Sequence, residues 1–316
     1  MPSIDMPLDR LREYKPALYR ENDFDSFWKT TIDEAKQQPL AIELIPYDLP
    51  ARNVECFSLR FDGYKGGKIA GWYLRPKTTG SHPALCMYHG YSMRAARPMD
   101  MLPFAAQGIC VLSMDTRGQN GLSQDAAIYS DGHQMGWMTQ GIRSPEEYYY
   151  RYVYADAVRA LEVLAGFGEV DSKRIAVTGG SQGGGMSLAA AALSPRPVLC
   201  LADIPFLCDF PRGIEISPAG PYPEIPAFLK VFPQQREQVL RTLSYCDNLN
   251  LAPWIKCKTI ISNCLCDDVC PPSTIFAVYN QISAQKQMEI YPYHKHEIPY
   301  EHNEFKFRAL IETLHP

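Results

Sequence analysis

Lys173-Arg174-Ile175-Ala176-Val177-Thr178-Gly179-Gly180-Ser181-Gln182-Gly183-Gly184-Gly185 is the stretch whose reading decides the fold. Its first half reads as a short buried strand. A very tight turn follows at Ser181, and a helix is predicted to open at Met186 and run through the Ala-rich Leu188–Leu193. Gly179, Ser181 and Gly183 form G-x-S-x-G, a pattern that presents a nucleophilic serine when it joins a strand to a helix. So sharp a turn leaves no room for bulk beside the serine, and glycine meets that need. The turn lifts the hydroxyl clear of the sheet and sets it at a helix N-terminus, where developing negative charge is favoured. A Gly-rich turn with an incidental serine would carry the same letters; the strand before and the helix after favour the nucleophile.

Outward from this turn, the pattern alternates. Upstream, Pro83–Tyr88 and Ile109–Met114 read as buried strands, with a helix over Met99–Ala106 between them. Val54–Phe61 and Lys68–Leu74, joined by Gly63-Tyr64-Lys65-Gly66-Gly67, carry a hairpin signal, so the sheet is expected to begin antiparallel. Residues 1–50 read as an N-terminal extension in which Asp23 caps a helix through Phe24, Phe27, Trp28 and Ile32. Residues 120–144 form a long polar loop, and a loop of that length in a compact domain points to function. The segment Glu146–Leu164 has helical apolar spacing. Downstream come a strand over Val198–Asp203, a Pro-rich insertion or lid over 206–251 with a helix at Gln234–Leu243, a strand at Thr259–Asn263 and a helix at Pro272–Ile282. A strand at Gln287–Tyr291 and a closing helix at Phe305–Leu314 complete the chain. The expected fold is α/β: one domain over residues 1–316, with a mostly parallel sheet covered by helices on both faces.

Composition narrows the function classes. With 316 residues, 46% hydrophobic and 21% charged, the chain has the profile of a soluble globular protein with a sizeable core. A net charge of −4 without a Lys/Arg cluster argues against a nucleic-acid partner. No apolar run reaches the roughly 18–20 residues of a membrane span. Met1-Pro2-Ser3-Ile4-Asp5 lacks the basic start and apolar core of an export signal, and ten cysteines then read as reduced thiols in a cytoplasmic protein. Cys264, Cys266 and Cys270 fit no common zinc spacing and read as packing residues, so neither metal nor organic cofactor is expected. His82, His133, His302 and His315 read as surface or structural histidines, and His89 as a bond across its own loop.

A serine hydroxyl needs a base to take its proton. In α/β-hydrolases the chain order is Ser, then Asp or Glu, then His, each after a strand. Here Ser181 is followed by Asp267 or Asp268, then by His294 or His296. Backbone N–H groups are needed for the oxyanion; the residue after the nucleophile, Gln182, supplies one, and Tyr91 in the early loop His89-Gly90-Tyr91 is the candidate for the other. The elbow alone leaves a dienelactone hydrolase-like or peptidase-like enzyme open as alternatives, and also a non-catalytic scaffold on the same fold.

The combined motifs are more specific. Tyr14-Lys15-Pro16, His89-Gly90-Tyr91, Arg117-Gly118-Gln119, Gly136-Trp137-Met138-Thr139, the elbow, Pro271-Pro272-Ser273 and His296-Glu297 are spread over essentially the whole chain. In these the chain resembles the acetyl xylan esterase/cephalosporin C deacetylase family of carbohydrate esterases, family 7. The resemblance implies a triad of Ser181, Asp267 and His296, an oxyanion hole at Tyr91 and Gln182, and a substrate pocket including Tyr91 and Phe206, the latter standing where tyrosine is common. It implies a serine esterase working through an acyl-enzyme on acetylated xylo-oligosaccharides, cephalosporin C and related small esters. It also implies a homo-oligomer, a hexamer of paired trimers.

Overall fold

The computed structural model describes residues 4–130, 132 and 135–315; His133 lies outside them. The chain runs α1 (Leu8–Glu13), α2 (Phe24–Gln37), β1 (Glu43–Tyr47), β2 (Val54–Asp62), β3 (Lys68–Pro76), β4 (His82–Tyr88), α3 (Pro98–Ala105), β5 (Cys110–Met114), α4 (Tyr149–Gly166), β6 (Val170–Gly180) and α5 (Gln182–Leu193). It continues with β7 (Pro197–Asp203), α6 (Phe210–Ile216), α7 (Glu224–Val231), α8 (Arg236–Cys246), α9 (Asn248–Leu251), β8 (Lys258–Cys264), α10 (Pro272–Gln281), β9 (Lys286–Tyr291) and α11 (Tyr300–Leu314).

Among the described residues, nine strands form one sheet in the order β1-β2-β3-β5-β4-β6-β7-β8-β9. Pairings from β1 through β3 to β5 are antiparallel, and those from β5 through β4 to β9 are parallel. Side chains alternate across the sheet. Cys86, Leu112, Val177 and Cys200 enter the core beneath α4 and α5, while Leu85, Val111, Ala176 and Leu199 enter a second core beneath α3 and α11. Both faces are therefore covered, which is why the parallel strands read as continuous apolar runs.

Three local differences have physical causes. Helix α5 opens at Gln182, four residues before Met186. Glycines are poor helix formers, but here contact demands them: a Cβ on Gly183 would lie 2.1 Å from the Tyr88 carbonyl, and one on Gly185 2.3 Å from that of Phe206. The Pro-rich segment holds two helices that its prolines do not break, because Pro211 stands at the start of α6, and Pro223 caps α7 with Pro226 in its first turn. Asp23 occupies the N-cap position of α2, but its carboxylate accepts a hydrogen bond from the Tyr245 hydroxyl instead of capping.

The N-terminal segment is tied to the chain between β7 and β8 through two buried acids. Tyr14 Oη donates to Asp209 Oδ2 at 3.0 Å, and Tyr19 Oη donates to the Asp247 carboxylate. Asp247 also accepts the backbone N–H groups of Asp209, Phe210 and Leu249 at 2.7–2.8 Å. Burial, before any charge effect, raises Asp209 to about 6 and Asp247 to about 7 from the ordinary 3.8. A carboxyl whose folded pKa is raised contributes stability that is full below about pH 4 and is lost as pH rises through the folded value. These two groups are therefore expected to lower Tm as pH increases from 5 to 8, and Asp247→Asn to flatten that slope. Thermal melts across the range check this; an unchanged slope in the variant would refute the assignment.

Candidate active site

Ser181 sits at φ +56°, ψ −118°, a backbone geometry rare outside glycine. The structure holds it there with three backbone bonds: its N–H donates to the Asp203 carbonyl at 2.9 Å, and its carbonyl accepts from Gly185 at 3.0 Å and Phe206 at 2.9 Å. Its hydroxyl is 3.0 Å from His296 Nε2, and His296 Nδ1 is 2.8 Å from Asp267 Oδ2. A carboxylate only accepts, so Nδ1 carries the proton and Nε2 is left to accept from the serine hydroxyl. Asp267 is fully buried, and its other oxygen accepts the N–H groups of Val269 at 2.9 Å and Cys270 at 2.8 Å. The loops after β8 and β9 thus bring Asp267 and His296 to Ser181. Asp268 and His294 do not join them: Asp268 offers its carbonyl to Ser217, and His294 its carbonyl to Cys266.

The two candidate oxyanion donors are set by one polar network. Gln182 N–H belongs to the first turn of α5, where no helical acceptor exists. Its side-chain Oε1 accepts from Gln119 Nε2 at 2.8 Å and Tyr150 Oη at 3.0 Å. Gln119 Oε1 in turn accepts from Ser92 N at 3.0 Å, next to Tyr91. The Arg117-Gly118-Gln119 motif, to which the sequence assigned no role, therefore connects the elbow to the loop after β4. His89 does bond within that region. Its Nδ1 donates to the Gly90 carbonyl at 2.7 Å while Nε2 accepts from Thr116 N at 2.8 Å, an arrangement that requires the neutral ring. Burial lowers its pKa and favours that form.

Tyr91 is clamped from two sides. Its hydroxyl donates to Glu224 Oε1 at 2.7 Å and accepts from Trp137 N at 2.6 Å, while Met138 N donates to Glu224 Oε2 at 3.0 Å. Gly136, at φ +86°, lets the loop approach: a Cβ there would lie 2.2 Å from the Glu224 carboxylate. Glu224 comes from α7, inside the Pro-rich stretch, and no motif marks it in the sequence. Phe206 is fully buried, edge-on to Tyr91 at 6.3 Å and to Tyr222 at 4.6 Å.

Beneath the elbow, the buried Asp203 carboxylate bonds to His302 Nε2 at 2.8 Å and to Lys306, and His302 Nδ1 meets Tyr291 Oη at 2.9 Å. Burial acts to raise the Asp203 pKa, but Lys306 and His302 outweigh it and hold the group below its ordinary value. Among the described residues, Asp267, Cys270 and His296 are one group whose donor atoms lie within metal-ligand reach, 4.8 Å, of one another. Both His296 nitrogens are already engaged with Asp267 and Ser181. Cys264 and Cys266 donate to the carbonyls of Glu297 and Pro292, and burial pushes the Cys264 thiol up to about 12. Among the described residues, no helix is long and apolar enough to cross a membrane.

Comparison with known proteins agrees over the length of the chain. Residues 1–312 match the family described as acetyl xylan esterase (AXE1). The structure superposes on the acetyl xylan esterase from Paenibacillus sp. R4 with a TM-score of 0.95 and 43% identity, covering 98% of this chain and 100% of that one. Acetyl xylan esterase 1 from Thermoanaerobacterium sp. JW/SL YS485 gives a TM-score of 0.95 at 36% identity, covering 99% and 100%. Acetyl esterase Axe7A of Xylanibacter ruminicola is 31% identical over 288 residues, which is 89% of this chain; the match spans 65% of that protein's length.

Proposed function

Because the chain belongs to the acetyl xylan esterase family and has the α/β-hydrolase fold, we propose that it is a serine esterase removing acetyl groups from acetylated xylo-oligosaccharides and related small esters, the acetyl ester of cephalosporin C among them. The observation that carries this reading is the hydrogen-bonded line from Asp267 through His296 to Ser181. Ser181 Oγ attacks the ester carbonyl and passes its proton to His296 Nε2. The C–O bond to the alcohol breaks, and that proton leaves on the alcohol oxygen. Water then attacks the acetyl-enzyme by the same route, returning Ser181 and releasing acetate. Asp267 holds the imidazole in the required tautomer and stabilises its charged form. The N–H groups of Gln182 and Tyr91 receive the oxyanion, each worth roughly 3 kcal/mol to the transition state.

The substrate profile tests the activity. Acetate release from acetylated xylo-oligosaccharides and hydrolysis of p-nitrophenyl acetate are expected, with little turnover of octanoate esters or peptides; preference for either of the latter would reject the deacetylase reading in favour of another hydrolase chemistry.

Glu224 acts through Tyr91, which makes it a positioning residue. Glu224→Ala is expected to lower kcat for p-nitrophenyl acetate by roughly 10- to 100-fold through misplacement of the Tyr91 N–H. Glu224→Gln, which keeps one acceptor for the phenol, is expected to recover part of the loss. Equal kcat values for the two variants and the parent would remove Glu224 from the account.

The proposal extends to organisation. Residues 1–316 form a single hydrolase domain, with residues 1–50 as an extension and residues 206–251 as a covering insertion, assembled as a hexamer of paired trimers. Exposed Ile45 and Tyr47 on the edge strand β1 and Val231 on α7 support an association surface. Light scattering at micromolar concentration distinguishes this from a monomer.

A further inference from the structure

Ser181 and His296 come from different strands, so the scaffold must hold their 3.0 Å contact. The loops carrying Asp267 and His296 are tied to each other directly. Leu265 N donates to the Tyr291 carbonyl at 3.0 Å, Cys266 N to that of His294 at 3.1 Å, and Asp267 meets His296. The nucleophile follows β6, and β7 lies between β6 and the two strands that deliver its partners. Ile298 packs against Gly180 across this gap, an apolar contact that brings the loops together without fixing their spacing.

A polar path crosses the same gap through Asp203, the last residue of β7. Its main chain pairs with Gly180, and its carbonyl accepts the Ser181 N–H at 2.9 Å. Its carboxylate bonds to α11, with Oδ1 2.8 Å from His302 Nε2 and Oδ2 bonded to Lys306. A carboxylate only accepts, so Nε2 carries a proton. The other ring nitrogen, Nδ1, is 2.9 Å from Tyr291 Oη. Tyr291 ends β9, His302 lies in the first turn of α11, and residues 292–299 between strand and helix carry His296. That loop is therefore closed across its base by Tyr291 and His302. It is fastened there to the residue whose carbonyl fixes Ser181. The Asp203 and His302 side chains are each 1% exposed. An apolar contact would hold α11 on the sheet with less desolvation; hydrogen bonds add direction and spacing.

We infer that Asp203, His302 and Tyr291 are positioning residues that set the spacing of nucleophile and base. His302 holds the loop of His296 at the place that Asp203 fixes for Ser181. The three act through the two loops and not on the ester. The inference rests on the esterase reading above.

Three variants test it. His302→Phe keeps a ring and removes both bonds, His302→Gln keeps an amide that can donate to Asp203, and Tyr291→Phe removes one hydroxyl. Each is titrated to completion with diethyl p-nitrophenyl phosphate, so that turnover of p-nitrophenyl acetate is read per competent serine. A variant that only folds poorly loses sites and keeps its rate per site. His302→Phe is expected to lower kcat per site by roughly 10- to 100-fold, with KM within about twofold. His302→Gln is expected to recover part of that loss. Tyr291→Phe is expected to lower kcat per site by roughly three- to tenfold and to add little in the double variant with His302→Phe, because it acts through the histidine. It stands as the test if His302→Phe does not fold. An unchanged kcat per site, a loss in His302→Gln as large as in His302→Phe, or a loss carried by KM would overturn the assignment. Absence of hydrolysis of every acetyl ester by the parent enzyme would instead reject the esterase reading itself.

Discussion

Replacing Ser181 with alanine is expected to lower kcat for acetyl esters by roughly 10⁴- to 10⁶-fold while the protein stays folded. The three groups act as one unit, because the hydroxyl is a weak nucleophile until His296 Nε2, 3.0 Å away, takes its proton. His296→Ala is therefore expected to cost about as much as Ser181→Ala, and the double variant little more than either alone. Asp267→Asn should lose about 10⁴-fold by a different route. An amide at that position can donate to His296 Nδ1 and so place the imidazole proton on Nε2, where it can no longer accept from serine. Stability should change little on Ser181→Ala, since the backbone bonds that hold the elbow do not involve the hydroxyl. Steady-state kinetics of the single and double variants, with melting curves alongside, check all of this. Additive losses in the double variant would contradict the shared proton path.

The second large effect lies away from the chemistry. Asp156→Ala is expected to destabilise the protein by about 3–5 kcal/mol, because it takes the nearest carboxylate from the buried Arg117 guanidinium and leaves it only the more distant Asp125. Arg117 has no solvent exposure. It donates to Asp156 at 2.6 and 2.8 Å and to the Tyr64 carbonyl at 2.7 Å, and Asp125 stands 3.3 Å off. Asp156 also accepts the Tyr64 N–H at 2.7 Å, so its loss orphans a backbone donor as well. The pair joins α4 to the turn between β2 and β3 and to the loop carrying Gln119. Part of the effect should thus reach activity through the Gln119–Gln182 contact. Urea unfolding at neutral pH gives the stability change; a loss below about 1 kcal/mol would mean that Arg117 finds water or a new partner.

The parts of this fold that the sequence shows are those where local and tertiary demands agree. Buried strands such as Cys110–Met114 announce themselves as apolar runs, and Gly179 and Gly183 flank Ser181 in a turn that leaves no room for a Cβ at either glycine. The elbow helix was misplaced by four residues because its glycines serve packing against Tyr88 and Phe206, a demand that helix propensity does not register. Strand β1 escaped because it lies at an exposed edge, with no alternation of buried and exposed residues to read. In the candidate site, the order of motifs left Asp267 or Asp268 and His294 or His296 open; spacing cannot tell which side chain a loop turns inward. Glu224 was illegible for a stronger reason. It reaches Tyr91 from 133 positions away, and only the packing of α7 over the loop bearing Trp137 brings them together. The same is true of the Asp209 and Asp247 carboxyls, whose partners Tyr14 and Tyr19 come from the other end of the chain.

The role of Ser181 is tested most directly by covalent trapping with diethyl p-nitrophenyl phosphate, which a serine nucleophile attacks and then cannot release readily. Intact mass and peptide mapping are expected to show one diethylphosphoryl group per chain, on Ser181, appearing in step with loss of p-nitrophenyl acetate hydrolysis and absent from Ser181→Ala. Full inactivation with the group on another residue, or undiminished hydrolysis by protein labelled at Ser181, would contradict the account.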